Sequence, residues 1–182
     1  LRAQKPYRKR YGSGRERRGR IPGRVGIEHR PVEVERRDRI GHWEADTVHG
    51  RRRLGAVLSL VERRSRLTRL AKLPRASAEA VRRGVRRRLL PIVHAVDSLT
   101  ADNGREFTFH QRIAADLNAR FYFADPYAAW QRGTNENTNG LVRQYLPKSR
   151  DMTTLTGAEI RMIENRLNHR PRKCLGYLTP YE

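Results

Sequence analysis

The stretch WQRGTNENTNGL, residues 130–141, contains one carboxylate, Glu136, among amides, glycines, hydroxyls and Arg132, in a chain with a formal net charge of +21. Two further acids lie where a strand and a strand end are expected: Asp46 in WEADT and Asp102 in TADNG. Carboxylates brought to one point repel one another unless a cation fills the space between them. Oxygen donors without thiolates suit Mg2+ or Mn2+. Two such ions, held about 3.5–4 Å apart, can ready an attacking oxygen and stabilise a leaving oxygen of a phosphodiester. A lone acid at the start of a helix, with no lysine beside it, fits such a site, because the unpaired N–H groups and dipole there favour an ionised carboxylate.

Each acid also has a structural explanation. Asp46 can pair with one of many arginines, Asp102 can build the Asp-Asn-Gly turn, and Glu136 can simply complement a helix dipole. Glu44, two residues before Asp46 on the same strand face, and Glu106, one turn beyond Asp102, are rival ligands. Asp97 and Asp125 read as strand-end and Asp-Pro turn residues.

The elements that must position these acids follow from periodicity. HWEADTVHG alternates and then turns at Gly50; LGAVLSLVER (54–63) is a buried-type strand; RLTRLAKLP (66–74) alternates until Pro74. Short basic turns join the three, which predicts an antiparallel meander. Ser77 is the expected cap of a helix with Val81, Val85 and Leu89 on one face and Arg82, Arg83, Arg86 and Arg87 on the other. AVDSLTADNG predicts a fourth strand, FTFHQRIAADLNA a helix with Phe109, Ile113 and Leu117 inward, and RFYFADP a fifth strand. Residues 134–146 are expected to be helical up to Pro147. Thr156 and Glu159 form a capping box ahead of the stripe Ile160, Ile163 and Leu167. The pattern predicts an α/β fold: a mixed five-stranded sheet flanked by helices.

Forty Lys+Arg against nineteen Asp+Glu point to a polyanionic partner, with nucleic acid foremost and a ribosomal-type basic protein as the plain alternative. No segment approaches the roughly 18 apolar residues of a membrane span, so no membrane partner is expected. Cys174 is the single cysteine and is expected as a small buried residue; the composition suits a reducing compartment. Residues 1–40, rich in Arg, Lys, Gly and Pro, read as a basic linker or arm tracking phosphates, and residues 41–182 as the folded core. The start at Leu1 suggests a fragment of a longer protein.

GHWEADTVHG, LTADNGREF, YFADPYAAWQRGTNENTNGLVRQYLPK and IENRLNHRPRKCLGYLTPYE resemble the transposases of the insertion-sequence-30 family over essentially the whole chain. That resemblance implies a ribonuclease-H-like, retroviral-integrase-like catalytic core and an acidic triad at Asp46, Asp102 and Glu136, the last two separated by 33 residues. It implies DNA cleavage at an element end, attack of the freed 3′-hydroxyl on target DNA, metal dependence with two ions, and a homo-oligomer on DNA. A bacterial, cytoplasmic and nucleoid-associated location follows from it. The resemblance implies that the family's N-terminal helix-turn-helix region lies outside this chain, so the fragment is expected to keep the scaffold of the chemistry without end recognition. A metal-dependent nuclease on the same fold and a truncated, non-catalytic DNA-binding fragment are the alternatives.

Other residues are expected near DNA. Trp130, Gln131 and Arg132 lie just before the Glu136 helix; Trp130 can stack on a base, or simply pack. Arg143 and Lys148, and the patch Arg170, Arg172 and Lys173, are expected on phosphates. Asn137 and Asn139 are expected to brace Glu136 or donate to phosphate. His169 is expected to bond a backbone group, and Trp43 to lie in the core.

Overall fold

The structure is a computed structural model that describes residues 21–126 and 128–182. Its frame is a five-stranded sheet made of β1 (His42–His49), β2 (Ala56–Glu62), β3 (Thr68–Leu73), β4 (Ser98–Ala101) and β5 (Arg120–Phe123), in the order β3-β2-β1-β4-β5. β1, β2 and β3 form the antiparallel meander, while β4 and β5 add parallel to it, so β1 lies at the centre with β2 on one side and β4 on the other.

Strict alternation along these strands builds two cores. Trp43 and Ala45, Leu58 and Leu60, Ala71 and Leu73, and Leu99 and Ala101 point to one face. There they meet Val81, Val85 and Leu89 of α2 (Ala78–Leu89) and Ile113 and Leu117 of α3 (His110–Leu117). Ser77 caps α2 by accepting the Ala80 N–H, a contact worth about 1 kcal/mol in typical helices. Val48, Val57 and Leu70 point the other way, against Val142 and Leu146 from the region of α4 (Gly133–Tyr145) and Ile160, Ile163 and Leu167 of α5 (Gly157–Asn168). The Thr156–Glu159 capping box starts α5. Trp43 is fully buried and its indole N–H donates to the Ala95 carbonyl.

Several expectations need correction. Residues 21–40 are not part of a free arm. Ile21 and Val34 are buried, the latter on the short helix α1 (Val32–Arg36). Gly26 bridges Phe123, and the Phe123 N–H donates to Val25, so this segment covers the open edge of β5. Arg30 is buried, donates to Thr100 and pairs with Glu35; burial and the neighbouring Arg63 charge push its pKa down to about 10. The arm's first twenty residues lie outside the described residues. A short 3-10 turn at Arg105–Phe107 precedes α3 and buries Phe107, and in α3 the inward positions are His110, Ile113 and Leu117. Phe109 is left half-buried beneath Arg112. Cys174 is exposed on a 3-10 turn at Lys173–Leu175, beyond the last helix that packs on the sheet.

Candidate active site

Parallel pairing of β1 with β4 matches His42 with Ser98, Trp43 with Leu99 and Glu44 with Thr100. Continued by two residues, the same register sets Asp102 level with Asp46. Because side chains alternate, both acids stand on the sheet face that carries α4. Asp46 is half-buried. Its Oδ1 accepts the Thr47 N–H at 2.7 Å and its Oδ2 accepts the Asn139 amide at 2.9 Å. Burial holds its carboxyl above the usual aspartate range; Arg132 opposes that shift, and Asp102 adds to it. Asp102 Oδ1 accepts the Gly104 N–H at 3.0 Å, closing the turn that ends β4.

Between the two acids stands a guanidinium. Arg132 lies 3.5 Å from Asp46 and 3.8 Å from Asp102, and donates to the Ala45 carbonyl at 3.2 Å. It occupies a position where a small cation would neutralise both carboxylates. The lysine-free convergence expected from the sequence therefore has an arginine within it.

The rival ligand Glu44 has another task. It is fully buried, pairs with Arg63 at 3.1 Å and accepts the Asn135 N–H at 2.8 Å. Asn135 lies in the first turn of α4, where backbone N–H groups lack helical partners. Glu44 thus does from β1 what a capping side chain does within a helix, and α4 has no side-chain cap of its own. Thr134 is buried and accepts from Arg66. Sequence reasoning missed this anchoring role; the signal available was the i, i+2 relation of Glu44 and Asp46. Ser59, opposite Asp46 on β2, completes the anchor by donating to Asn139 at 2.7 Å and lying 3.0 Å from Asn135.

Glu136, Asn139 and Arg143 form one stripe of α4 at i, i+3 and i+7. Asn139 touches Asp46 and Arg143 donates to the His49 carbonyl at 2.8 Å, so the stripe runs along β1. Glu136 itself is exposed, in an open depression lined by Gly133, Asn137, Gly140 and Leu141. A Cβ at Gly133 or Gly140 would meet nothing within 4 Å, so packing does not require glycine at either place. Glycine inside a helix costs about 1 kcal/mol relative to alanine, and here it leaves the backbone bare on both sides of Glu136. Among the described residues, no group of three His, Cys, Asp or Glu side chains is gathered for a metal ion. The structure brings Asp46 and Asp102 together and leaves Glu136 on the neighbouring helix face. Glu106 is nearby as well, accepting from Thr47 at 2.8 Å.

The outer residues divide by exposure. Trp130 is 76% exposed and does not pack. Gln131 is bonded to Asp125 through both amide atoms. Arg143 is engaged with carbonyl oxygens, and burial lowers its pKa. Arg172 donates to the Leu167 carbonyl, which leaves Lys148, Lys173 and Arg170 as the exposed cations of that group, Arg170 being 3.4 Å from Gln144. Asn137 is exposed beside Glu136, and the bond made by Asn139 goes to Asp46. His169 Nδ1 meets the Asn165 carbonyl at 2.9 Å.

A central mixed sheet of this order, with helices on both faces and acids at the β1–β4 edge, defines the ribonuclease-H-like class to which integrase catalytic cores belong. The catalytic core domain of BIV integrase superposes with a TM-score of 0.55 at 22% identity, covering 77% of this chain and 90% of that one. A simian T-cell lymphotropic virus intasome, solved with the PP2A regulatory subunit B56 gamma, gives 0.63 at 16% identity over 79% of this chain and 53% of that one. A scan of protein-family models finds no match.

Sequence comparison is more specific. The chain is 47% identical over 176 residues to the transposase for insertion sequence element IS4351 of Bacteroides fragilis, covering 97% of this chain and 54% of that protein. It is 45% identical to the IS1086 transposase of Cupriavidus metallidurans over 93% of the chain and 50% of the relative. It is 38% identical to the InsI transposase of IS30A from Escherichia coli over 86% and 41%. Over the matched stretch the chain belongs to the insertion-sequence-30 family of transposases. It spans about half the length of the curated relatives it matches.

Proposed function

We propose that this chain is the DNA-cleaving and DNA-joining core of a transposase, with Asp46, Asp102 and Glu136 as its acidic triad. The observation that carries this reading is the level placement of Asp46 and Asp102 on adjacent parallel strands, under a helix whose Glu136 stripe runs along the same strand. The donor set fits Mg2+ or Mn2+: the oxygens are hard, Asp46 is partly desolvated, and a cation, the Arg132 guanidinium, already lies between the two aspartates. Asp46 and Asp102 would hold such ions, with Glu136 closing the set once Arg132 withdraws. Bound there as a pair, the ions would supply charge neutralisation at the attacking and leaving oxygens of an in-line phosphoryl displacement.

The chain's own residues do the rest. Asn139 and the Thr47 N–H orient Asp46, the Gly104 N–H fixes Asp102, and Glu44 seats the start of α4. The bare backbone at Gly133 and Gly140 lets a DNA strand approach Glu136 closely. The substrate is DNA, at element ends and targets, handled by a homo-oligomer on the bacterial nucleoid in the cytoplasm. No helix among the described residues is long and apolar enough to cross a membrane. No protein nucleophile is required.

One observation favours a second reading. With Arg132 between the aspartates and no three-acid cluster among the described residues, the chain by itself can be a DNA binder without activity. A Mg2+-dependent plasmid-nicking assay on the chain and its Glu136→Gln variant, with DNA affinity measured in parallel, separates the two. Nicking that disappears in the variant while affinity is kept supports the enzyme; equal nicking by both proteins removes it, and affinity without nicking in either leaves the binder.

A further inference from the structure

The hairpin joining β1 to β2 carries three consecutive exposed arginines, Arg51, Arg52 and Arg53, in a 3-10 turn. Arg52 and Arg53 both hold left-handed backbone conformations, with φ of 50° and 61°. Such positions are normally filled by glycine, asparagine or aspartate, and two successive long side chains there are disfavoured. Strain of this kind persists only where the surroundings impose it.

The surroundings do impose it. The Arg51 N–H donates to the Arg150 carbonyl at 2.8 Å, and the Met152 N–H donates to the Leu54 carbonyl at 3.1 Å, so the segment after α4 clamps the tip from both sides. Glycine flanks the tip for the same reason. A Cβ at Gly50 would stand 2.6 Å from the Arg150 carbonyl, and one at Gly55 2.8 Å from the Met152 backbone. Among the described residues the Arg52 and Arg53 side chains make no ion pair or hydrogen bond. The tip is therefore a clamped prong whose Arg52 and Arg53 guanidinium groups have no partner among the described residues.

It projects from the end of the strand that carries Asp46. β1 runs three residues past Asp46 to His49, about 10 Å of extended chain, before the turn that holds the pair. That stretch of strand corresponds to about three phosphates along one DNA strand.

We propose that Arg52 and Arg53 are a DNA-backbone contact, gripping phosphates of the duplex that flanks the reacting strand. This rests on the DNA reading above and adds a site to it. Arginine suits the role because its fork pairs with phosphate oxygens without needing a particular base.

The test measures DNA affinity against salt for the parent chain, Arg52→Gly/Arg53→Gly and Arg52→Lys/Arg53→Lys, with thermal melting alongside. Glycine relieves the left-handed backbone, so the glycine pair should melt no lower than the parent. It should nevertheless bind more weakly, with the slope of log affinity against log salt reduced by about two, since each lost phosphate contact removes roughly 0.9. The lysine pair, equally strained but charged, should keep the parental slope. A parental slope in the glycine pair overturns the proposal and leaves the DNA reading standing; a parent chain that does not bind DNA overturns both. A slope lost equally in both pairs also overturns it, because hairpin shape rather than charge would then be responsible. Should the glycine pair melt lower, Arg52→Gln/Arg53→Gln against the lysine pair decides by the same criterion.

Discussion

A half-buried carboxylate keeps a fixed orientation only if donors hold it, and Asp46 has the Thr47 N–H and the Asn139 amide for that purpose, with Arg132 at a longer ion-pair distance. Asn139 is itself held by the Ser59 hydroxyl, so the bond to Asp46 is made by a side chain with little freedom. Replacing Asn139 with alanine would leave all three acids in place but let the Asp46 carboxylate rotate. Partners of this kind typically contribute 10–100-fold in metal affinity or activity, so a loss of about that size is expected. Mn2+ titration followed by electron paramagnetic resonance would check it independently of turnover, and an unchanged affinity would refute the bracing role. The same logic explains why Gly133 and Gly140 flank Glu136: the space around that acid is left open rather than filled.

At the scale of elements, the sheet survives because both of its edges are covered. β5 is covered by Val25 and Gly26 through main-chain pairing. β3 is covered differently, by side chains of α5. The Asn168 amide accepts from the Thr68 N–H at 2.8 Å and donates to the Thr68 carbonyl at 2.9 Å, while Glu164 accepts the Leu70 N–H at 2.7 Å. An edge strand otherwise offers these groups to another chain. Asn168→Ala would leave the buried Thr68 N–H and carbonyl without partners, at a cost of about 1–3 kcal/mol for each buried group left unpaired. Urea unfolding should show a midpoint lowered accordingly with an unchanged slope; an unaltered midpoint would mean that water reaches the edge. Glu44 makes the matching connection on the other helix, tying the start of α4 to β1, so the acids and the helix above them move as one body.

The whole molecule combines a large, fixed positive charge with a buried histidine, and its stability should depend on pH through the histidine. His42 is buried with Nδ1 2.9 Å from the Ser98 hydroxyl, and desolvation lowers its pKa below the ordinary value of 6.5. The unfolded chain then takes up a proton that the folded one refuses, so this contribution is present above about pH 6.5 and is lost as pH falls below it. The urea midpoint should drop between about pH 7.5 and pH 5.5, and should drop less in His42→Asn, which keeps a polar group facing Ser98. Equal drops would assign the effect to other histidines and carboxylates, because the arginines stay charged throughout this range. Much of this molecule was readable along the chain. Alternation and apolar spacing predicted the five strands, α2 and α5, and Pro147 the end of the α4 segment, because those signals depend on neighbours within one element. Motif likeness determined the family. Tertiary structure alone decided that residues 21–40 seal an edge, that Glu44 anchors a helix, that Arg132 stands between Asp46 and Asp102, and that Arg52 and Arg53 are clamped into a prong. Each of these depends on contacts between residues distant in sequence, and an arginine on paper does not reveal whether a carboxylate, a carbonyl or only water will face it.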